Sequence, residues 1–375
     1  MILLLVIVTG LYVTLIVAFY YGFKTIKKFD TIESQSRTRF SIVIAFRNEA
    51  DNLTDLLTSL SQLKYPLDSF EIIFVDDASE DGSAQLIHKH LTQYPALEYS
   101  ILNNKRISNS PKKDAITTAI NTAKNEWIIT TDADCIVHNL WLNSIDSYIQ
   151  NNDCNIIAAP VAYYEIDSLL KRFQFLDFLS LMGATIGGFG IKKPFMCNGA
   201  NFAYRKETFL KLQGFKGNNN IASGDDIFLL EKAVSDAPDM VHYLKSKHAI
   251  VYTKPQSNFN ALVQQRKRWA AKTSQYSSSF GKFVGLAVFA MNLILMLGIL
   301  LVVTAILPLK ILISIFVIKT IIDSILLFKT CRFFNSKFSI PFYIGSSIFY
   351  PFFTVYIAIT ALFSNYNWKG RQFKA

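Results

Sequence analysis

Residues 41–79 read SIVIAFRNEADNLTDLLTSLSQLKYPLDSFEIIFVDDAS, and this stretch decides the fold class. The apolar run at 41–46 is rich in β-branched residues and is followed by leucines at helical spacing, and a second apolar run occupies 71–75. A strand, a helix and a second strand in this order are typical of a parallel sheet with right-handed crossovers. The segment therefore predicts an α/β fold with a doubly wound, mostly parallel sheet.

The same alternation continues towards the middle of the chain. A weak strand is predicted at 99–102, a helix opens near Pro111, and residues 127–131 (WIITT) form a further strand. After residue 151 loops, glycines and aromatic residues replace the alternation. Because ligands bind beyond the carboxyl ends of the strands in doubly wound sheets, we expect the functional residues to follow these strands.

The composition excludes two classes of protein. The chain has 375 residues, of which 51% are hydrophobic and 18% are charged, and its mean hydropathy is +0.26. It is too apolar for a disordered protein or a nucleic-acid-binding tail. The formal net charge of +10 is explained by basic residues beside membrane spans, so we expect no nucleic-acid partner. The four widely spaced cysteines predict neither a disulfide framework nor a zinc site.

Four runs with few or no charges are long enough to enter a bilayer. In the first run, at 2–23, a cleaved signal peptide is disfavoured because no basic region precedes the run and no A-x-A-like site follows it. The other three runs lie at 284–308, 310–328 and 340–363. The predicted plan has three parts, which are an N-terminal transmembrane anchor at 1–23, a soluble domain at 24–283 and a C-terminal membrane block at 284–375.

Basic residues beside membrane spans mark the cytoplasmic side. They follow the first run at Lys24 and precede the second at 266–268, which places both ends of the soluble domain in the cytosol. Three further crossings would put Lys369 and Arg371 outside, against the same rule. Either this tail is an exception or one run lies in the interface, and we expect the third run, because it contains ionisable residues.

Asp132-Ala133-Asp134 follows a predicted strand and is the most informative short motif. Residues two apart in an extended segment point to the same side, and paired carboxylates suit Mg²⁺ or Mn²⁺. Two solvated loop acids are the alternative. The position at a strand end, with Asp76-Asp77 at the end of another strand, favours the functional interpretation.

The remaining polar motifs each allow two interpretations. Asp76 and Asp77 suit hydrogen bonds to a base and ribose, or cap the next helix. Lys112 and Lys113 at a helix start favour phosphate contact, or form a solvated surface pair. In Gly224-Asp225-Asp226 one acid suits a helix cap and the other a general base.

Residues 265–269 (QRKRW) form a basic, aromatic cluster close to the second apolar run. On its own this cluster is equally typical of a cytoplasmic stop beside a membrane span. The sequence contains no G-x-S-x-G, P-loop or H-E-x-x-H motif. Hydrolases, P-loop NTPases and zincins therefore lose their usual support.

Together these motifs resemble those of membrane-bound inverting glycosyltransferases of family 2, which have a Rossmann-like GT-A catalytic domain. The resemblance covers about 39–269 and extends loosely into the membrane block. It rests on seven motifs in order: IAFRNE at 44–49, VDDAS at 75–79, PKKDA at 111–115, TDAD at 131–134, CNGAN at 197–201, GDD at 224–226 and QRKRW at 265–269.

The resemblance implies a role for each motif. The donor-binding residues would be Glu49, Asp76, Asp77, Lys112 and Asp132. A Mg²⁺ or Mn²⁺ ion would be held by Asp132 and Asp134, and the catalytic base would be Asp226. The acceptor and the diphosphate would meet Asp225, Gln265, Arg268 and Trp269.

The implied function is transfer of a sugar from a nucleotide-sugar, expected to be UDP-linked, to a membrane-associated lipid or a growing glycan. The catalytic domain would be cytosolic and the protein integral to the cell's inner or plasma membrane. The alternatives are a processive polysaccharide synthase, a non-catalytic membrane component that binds nucleotide or glycan, and a transporter built around Lys319 and Asp323.

Two motifs depart from the family pattern, and one further segment has two interpretations. Phe46-Arg47 stands where a Tyr or a small residue is frequent, and Pro111 stands where a Gly often precedes the lysine. Both departures concern donor binding and not the metal site.

The glycine-containing apolar segment at 176–191 would either guide an acceptor at the membrane face or form a buried loop and helix.

Overall fold

The computed structural model describes residues 1–31 and 36–373, with the backbone alone at 273, 274 and 367. The chain divides into two compact units. The α/β unit comprises Lys27–Glu165 and Met196–Lys254, and the apolar unit comprises Met1–Ile26, Ile166–Phe195 and Pro255–Ala375. This division follows packing, whereas the plan of 1–23, 24–283 and 284–375 follows composition and stays a prediction.

The α/β unit alternates strands and helices, numbered here in chain order over both units. Its strands are β1 Phe40–Phe46, β2 Phe70–Asp76, β3 Tyr99–Asn103, β4 Trp127–Thr130, β5 Cys135–Ile136, β6 Ile156–Ala158, β7 Val161–Tyr163, β8 Phe202–Arg205, β9 Val241–Tyr243 and β10 Val251–Thr253. Its helices are α2 Ala50–Ser61, α3 Ser83–Leu91, α4 Pro111–Thr122, α5 Trp141–Asn151, α7 Lys206–Lys211 and α8 Ile227–Asp236. The four predicted strands and the three helices between them are confirmed.

Seven strands form one mixed sheet in the order β3-β2-β1-β4-β8-β6-β9. The first four strands are parallel, β8 runs antiparallel to β4 and β6, and β6 and β9 are parallel. β1 and β2 are buried on both faces, which explains why they read as nearly continuous apolar runs. The mostly parallel sheet is confirmed. The far half was missed because β6 and β9 have only 3 residues each, too few to show a period.

The apolar unit is built on helices. They are α1 Ile2–Thr25, α6 Leu169–Gly190, α9 Phe259–Ala271, α10 Ser279–Val303, α11 Leu309–Phe333 and α12 Ile340–Phe363, followed by the hairpin strands β11 Tyr366–Trp368 and β12 Arg371–Phe373. Among the described residues, 4 helices are long and apolar enough to cross a membrane, namely α1, α10, α11 and α12. They coincide with the four apolar runs of the sequence.

Helices α1 and α6 cross in backbone contact, and glycines make this crossing possible. A Cβ at Gly22 would overlap the carbonyl oxygen of Gly187, and a Cβ at Gly190 would overlap the Gly22 carbonyl. Small residues allow such approach between apolar helices. Segment 176–191 is therefore largely a buried helix, in agreement with one of its two interpretations.

An ion pair lies inside this helical unit. Lys319 Nζ contacts Asp323 Oδ2 at 2.7 Å on the same face of α11, and Tyr12 in α1 donates a hydrogen bond of 2.8 Å to Asp323 Oδ1. The Lys319 ammonium also lies over the rings of Tyr12 and Tyr350. These partners account for both charges as a link between helices.

We expect Gly22→Ala to destabilise the apolar unit by roughly 1–3 kcal/mol, because the added methyl group overlaps the Gly187 carbonyl and the helices must separate. Gly10→Ala is the matched control in the same helix, because a Cβ there meets nothing within 4 Å. Thermal unfolding of both variants in detergent measures the difference. Equal midpoints for the two variants would contradict the close crossing.

Candidate active site

The carboxyl ends of β1, β2 and β4 meet at one edge of the seven-stranded sheet, and three polar loops follow them. Side chains tie the first two loops together. Arg47 donates hydrogen bonds of 2.6 Å to the carbonyl oxygens of Asp77 and Ala78, and the Asn48 backbone N–H donates to Ser79 Oγ at 3.1 Å. Arg47, a departure from the family pattern, therefore holds the two loops in register.

Asp76 and Asp77 have different hydrogen-bond partners. Asp76 Oδ1 accepts the Ser79 N–H at 2.8 Å and closes the turn after β2. Asp77 Oδ1 accepts from the Asn104 side-chain amide at 2.7 Å and lies 3.5 Å from Arg106 Nη1. Neither acid caps α3, because its first N–H bonds to Asp81.

Glu49 lies at the end of β1, is mostly buried and is the N-cap residue of α2. Its backbone N–H donates to Ser83 Oγ at 2.9 Å, and its carboxylate accepts from the Asn52 amide at 2.8 Å. Asn104, which sequence reasoning missed, donates both to Asp77 and to the Pro111 carbonyl. Asn104 thereby connects the loop after β2 to the first turn of α4.

Lys112, in the first turn of α4, reaches the other acidic motifs. Its Nζ lies 2.7 Å from Asp132 Oδ1 and 3.2 Å from Asp225 Oδ2. Burial alone would lower the pKa of Lys112, but the carboxylates of Asp132, Asp225 and Asp226 outweigh burial and raise it. The lysine is therefore a permanent cation between the strand-end acids and the G-D-D loop.

The D-x-D motif ends in a turn at residues 133 and 134, and not in the extended segment expected from the sequence. Asp132 and Asp134 are partly exposed, whereas Thr131, Ala133 and Cys135 are buried. Burial, with a smaller contribution from Asp134, raises the pKa of the Cys135 thiol well above its usual range. This thiol is therefore protonated near neutral pH and is no candidate nucleophile.

Asp226 begins α8 as its N-cap. Its Oδ1 accepts the Ile227 N–H at 2.7 Å, and its Oδ2 accepts the Gly199 N–H at 3.0 Å. Of the two acids in the G-D-D motif, Asp226 is thus the cap and Asp225 faces Lys112. Each carboxylate oxygen has a second lone pair, so capping leaves Asp226 able to accept a further hydrogen bond.

Gly199 lies next to the Asp225 carboxylate and the Lys112 ammonium. A Cβ at Gly199 would lie 2.9 Å from Asp225 Oδ2 and 3.5 Å from Lys112 Nζ. Thr130 Oγ1 donates to the Gly199 carbonyl at 2.7 Å and fixes it against β4. The structure therefore brings together the helix-start lysine, the strand-end acid, the CNGAN motif and the G-D-D motif.

Lys113 does not join the acids, although it is the neighbour of Lys112. It is 1% exposed, its Nζ donates to the carbonyl oxygens of Asn218 and Ile221 at 2.8 and 2.9 Å, and it lies over the Phe228 ring. Lys113 fixes the loop before the G-D-D motif. No spacing in the sequence distinguishes it from Lys112.

A divalent cation such as Mg²⁺ or Mn²⁺ requires oxygen ligands from side chains, water or substrate. In the described part of the chain, no group of three or more His, Cys, Asp or Glu side chains could hold a metal. Asp132 and Asp134 supply two carboxylates, and Mg²⁺ or Mn²⁺ typically completes its shell with water and substrate phosphates. The Lys112 ammonium contacts one oxygen of Asp132, so the other Asp132 oxygen and the Asp134 carboxylate are the protein ligands that fit such an ion.

The Q-x-x-R-W residues lie in the apolar unit, on α9. Arg266 Nε contacts Asp177 Oδ2 of α6 at 2.7 Å, with both side chains buried, and its guanidinium lies 4.2 Å from the Trp269 ring centroid. Gln265 Oε1 accepts from Arg266 Nη1. Arg268 instead lies over the Trp368 ring at 5.0 Å. Arg266, at a variable position of the motif, therefore holds α9 against α6.

Two family models match the chain. "Glycosyl transferase family 2" matches residues 41–212, and "Glycosyl transferase family group 2" matches 127–364, which is more than half of the chain. The second match joins the α/β unit to the apolar helices in one recognised family.

Two curated relatives are distant in sequence. "Glycosyltransferase AglE" of Haloferax volcanii is 22% identical over 228 residues, which cover 61% of this chain and 70% of AglE. "Poly-beta-1,6-N-acetyl-D-glucosamine synthase" of Staphylococcus epidermidis is 23% identical over 265 residues. That alignment covers 67% of this chain but only 60% of the synthase, so the chain spans about three fifths of that relative.

A solved structure shares the fold. The mannosyltransferase PcManGT of Pyrobaculum calidifontis, in complex with GDP-Man and Mn²⁺, superposes with a TM-score of 0.59 at 16% identity, covering 96% of this chain and 98% of that one. The GT-A fold and the transferase class expected from the motifs are confirmed. The chain belongs to the family 2 glycosyltransferases.

Proposed function

We propose that this glycosyltransferase moves a sugar, with inversion, from a nucleotide-sugar to a membrane-associated lipid or growing glycan, with a UDP-linked donor as the first expectation. The observation that carries the proposal is the bridge from Lys112 to Asp132 and Asp225. This bridge joins the strand-end acids to the loop with the expected base. The lysine and the acids around it lie at the sheet edge where ligands bind in doubly wound folds.

The donor is assigned to the loops after β1, β2 and β4. Glu49, Asp76 and Asp77 would accept hydrogen bonds from the base and ribose, and Asn104 and Arg106 help to position Asp77. Lys112 and Asp132 would lie at the diphosphate. As the nucleoside diphosphate departs, negative charge develops, and a fixed ammonium stabilises that charge without reorganisation.

The metal is assigned to Asp132 and Asp134. A divalent ion bound there supplies Lewis-acid stabilisation of the diphosphate leaving group. PcManGT, which shares the fold, was solved with Mn²⁺, which supports Mn²⁺ or Mg²⁺ here.

The base is assigned to Asp226. The acceptor hydroxyl oxygen attacks the anomeric carbon, the bond to the diphosphate oxygen breaks, and the hydroxyl proton passes to the Asp226 carboxylate. Two backbone N–H donors orient that carboxylate, and Asp225 stays paired with Lys112. A carboxylate suffices because the anomeric carbon has oxocarbenium character, so the acceptor hydroxyl loses its proton late.

The acceptor residues are assigned on the resemblance. Asp225, Gln265, Arg268 and Trp269 match motif positions that contact the diphosphate and the acceptor sugar in the family. A processive polysaccharide synthase is the second candidate, favoured by the similarity to the N-acetylglucosamine polymer synthase. Product length from a single added primer distinguishes the two candidates.

The first experiment is donor turnover by the detergent-solubilised full chain over a panel of UDP- and GDP-sugars, with native lipid extract, Mn²⁺ or Mg²⁺, and chelator. We expect release of nucleoside diphosphate from one donor, lost with chelator. Turnover of a GDP-sugar alone would contradict the UDP expectation. Absence of turnover from a folded protein would favour the non-catalytic alternative.

We expect Asp134→Asn to lower kcat by about 10²-fold or more and to raise the metal concentration needed for half-maximal activity, because one carboxylate ligand is lost. Asp239→Asn is the matched control, since Asp239 is exposed and lies outside the cluster. Metal titrations of both variants measure the effect. Equal metal dependence in the two variants would remove Asp134 from the metal site.

We expect Asp226→Asn to lower kcat by about 10²–10⁴-fold while nucleotide affinity stays within twofold, because the base is lost from a position outside the donor contacts. The asparagine carbonyl oxygen still accepts the Ile227 N–H, and asparagine is as good a helix cap as aspartate, so α8 should stay folded although the acceptor for the Gly199 N–H is lost.

Asp225→Asn distinguishes the two acids of the G-D-D motif. It breaks the contact with Lys112, so it should weaken nucleotide binding as well as turnover. Pre-steady-state turnover and nucleotide titration separate the two patterns. Retained kcat in the Asp226 variant would move the base to Asp225.

A further inference from the structure

The C-terminal hairpin β11–β12 packs on the Q-x-x-R-W helix, and it lies beyond the residues that the family models match. Tyr366 in β11 is 3% exposed. Lys267 Nζ of α9 donates to the Asn365 carbonyl at 3.0 Å, just before the hairpin. The hairpin is therefore docked on α9 by both a buried aromatic ring and a charged hydrogen bond.

One face of the hairpin is aromatic. Tyr366 and Phe373 are cross-strand partners with stacked rings, and Trp368 packs against Phe373. The Arg268 guanidinium lies 5.0 Å from the Trp368 ring centroid. An indole face holds a guanidinium in place, and the guanidinium N–H groups can still donate hydrogen bonds in the guanidinium plane.

This docking constrains the path of the chain through the membrane. Helix α9 carries consecutive basic residues at 266–268, which do not suit the hydrocarbon core. The hairpin on α9 must therefore lie at the same membrane face as α9. An even number of complete crossings then separates residue 271 from residue 366, although three apolar helices lie between them.

The packing singles out α12 as the helix that does not cross completely, in place of α11, the third apolar run, which the sequence favoured. Helices α10 and α11 meet near their connection, where Gly298 lies against Leu312, as expected for an outward and a returning span. In α12, Phe353 and Ile357 share a buried cluster with Leu262 and Val263 of α9. Helix α12 is also the least apolar of the four, with a mean hydropathy of 1.6.

We propose that the C-terminal hairpin is a clamp on the Q-x-x-R-W helix, with Trp368 as a positioning residue for Arg268, and that the hairpin lies at the same membrane face as that helix. The role of Trp368 in the reaction rests on the proposed function, whereas the position of the hairpin does not. The basic residues Lys369 and Arg371 then lie on the cytoplasmic side, which removes the conflict with the charge rule.

Cysteine labelling tests the position of the hairpin. The four native cysteines are buried, so single cysteines can be introduced by Gln372→Cys in the hairpin, Asn260→Cys in α9 and Thr304→Cys after α10, all at exposed positions. We expect a membrane-impermeant maleimide to label the first two from one side of sealed vesicles and the third from the other. Labelling of Gln372→Cys together with Thr304→Cys would overturn the proposal.

Kinetics test the positioning role. We expect Trp368→Ala to lower kcat about tenfold, because the guanidinium loses the ring that holds it, and Trp368→Phe to retain most activity because an aromatic face remains. In an Arg268→Ala background, Trp368→Ala should cause no further loss, since the two residues act as one unit. Gln372→Ala, exposed in the same hairpin, is the control and should behave as wild type.

Additive losses in the double variant would show that Trp368 acts without Arg268 and would overturn the positioning role. Wild-type activity in Trp368→Ala would do the same. An inactive wild-type chain would contradict the proposed function, and the labelling result would still decide the position of the hairpin.

Discussion

The Lys112 ammonium lies between the carboxylates of Asp132 and Asp225, and the arrangement of the sheet edge depends on this contact. Several acids near one another repel, and their common position is stable only with a cation among them. Lys112 comes from the first turn of α4, Asp132 from the end of β4 and Asp225 from the loop before α8. The contact therefore fixes three elements that are far apart in the chain.

Backbone and side-chain contacts around this ion cluster leave little freedom to move. Lys113 anchors the loop before the G-D-D motif through two carbonyl oxygens, and Asp226 holds both the start of α8 and the Gly199 backbone. A Cβ at Gly199 would press against the Asp225 carboxylate. The two adjacent lysines therefore have different partners. Lys112 contacts the carboxylates of Asp132 and Asp225, and Lys113 holds the loop before the G-D-D motif.

Close packing and paired charges also stabilise the apolar unit. Close helix approach at Gly22 and Gly187 replaces the interlocking of large side chains, and each buried charge has a partner, as in Lys319 with Asp323 and Arg266 with Asp177. An unpaired charge in such surroundings would cost several kcal/mol. Tyr12 connects the first pair to α1, and the second pair connects α6 to α9, so both also hold the helices together.

The sequence by itself determined the strands and helices of residues 40–130, the family and the four apolar helices, because periodicity, strand-end motifs and run length are local properties of the chain. It also identified the motif residues. The tertiary structure alone decided which acid of the G-D-D motif caps α8, which of two adjacent lysines meets the acids, and that Asn104, Arg106 and Arg47 organise the loops. The short strands of the far half of the sheet and the docking of the C-terminal hairpin on α9 also required it. These features depend on contacts between residues distant in sequence, and no local pattern encodes which partner a side chain meets.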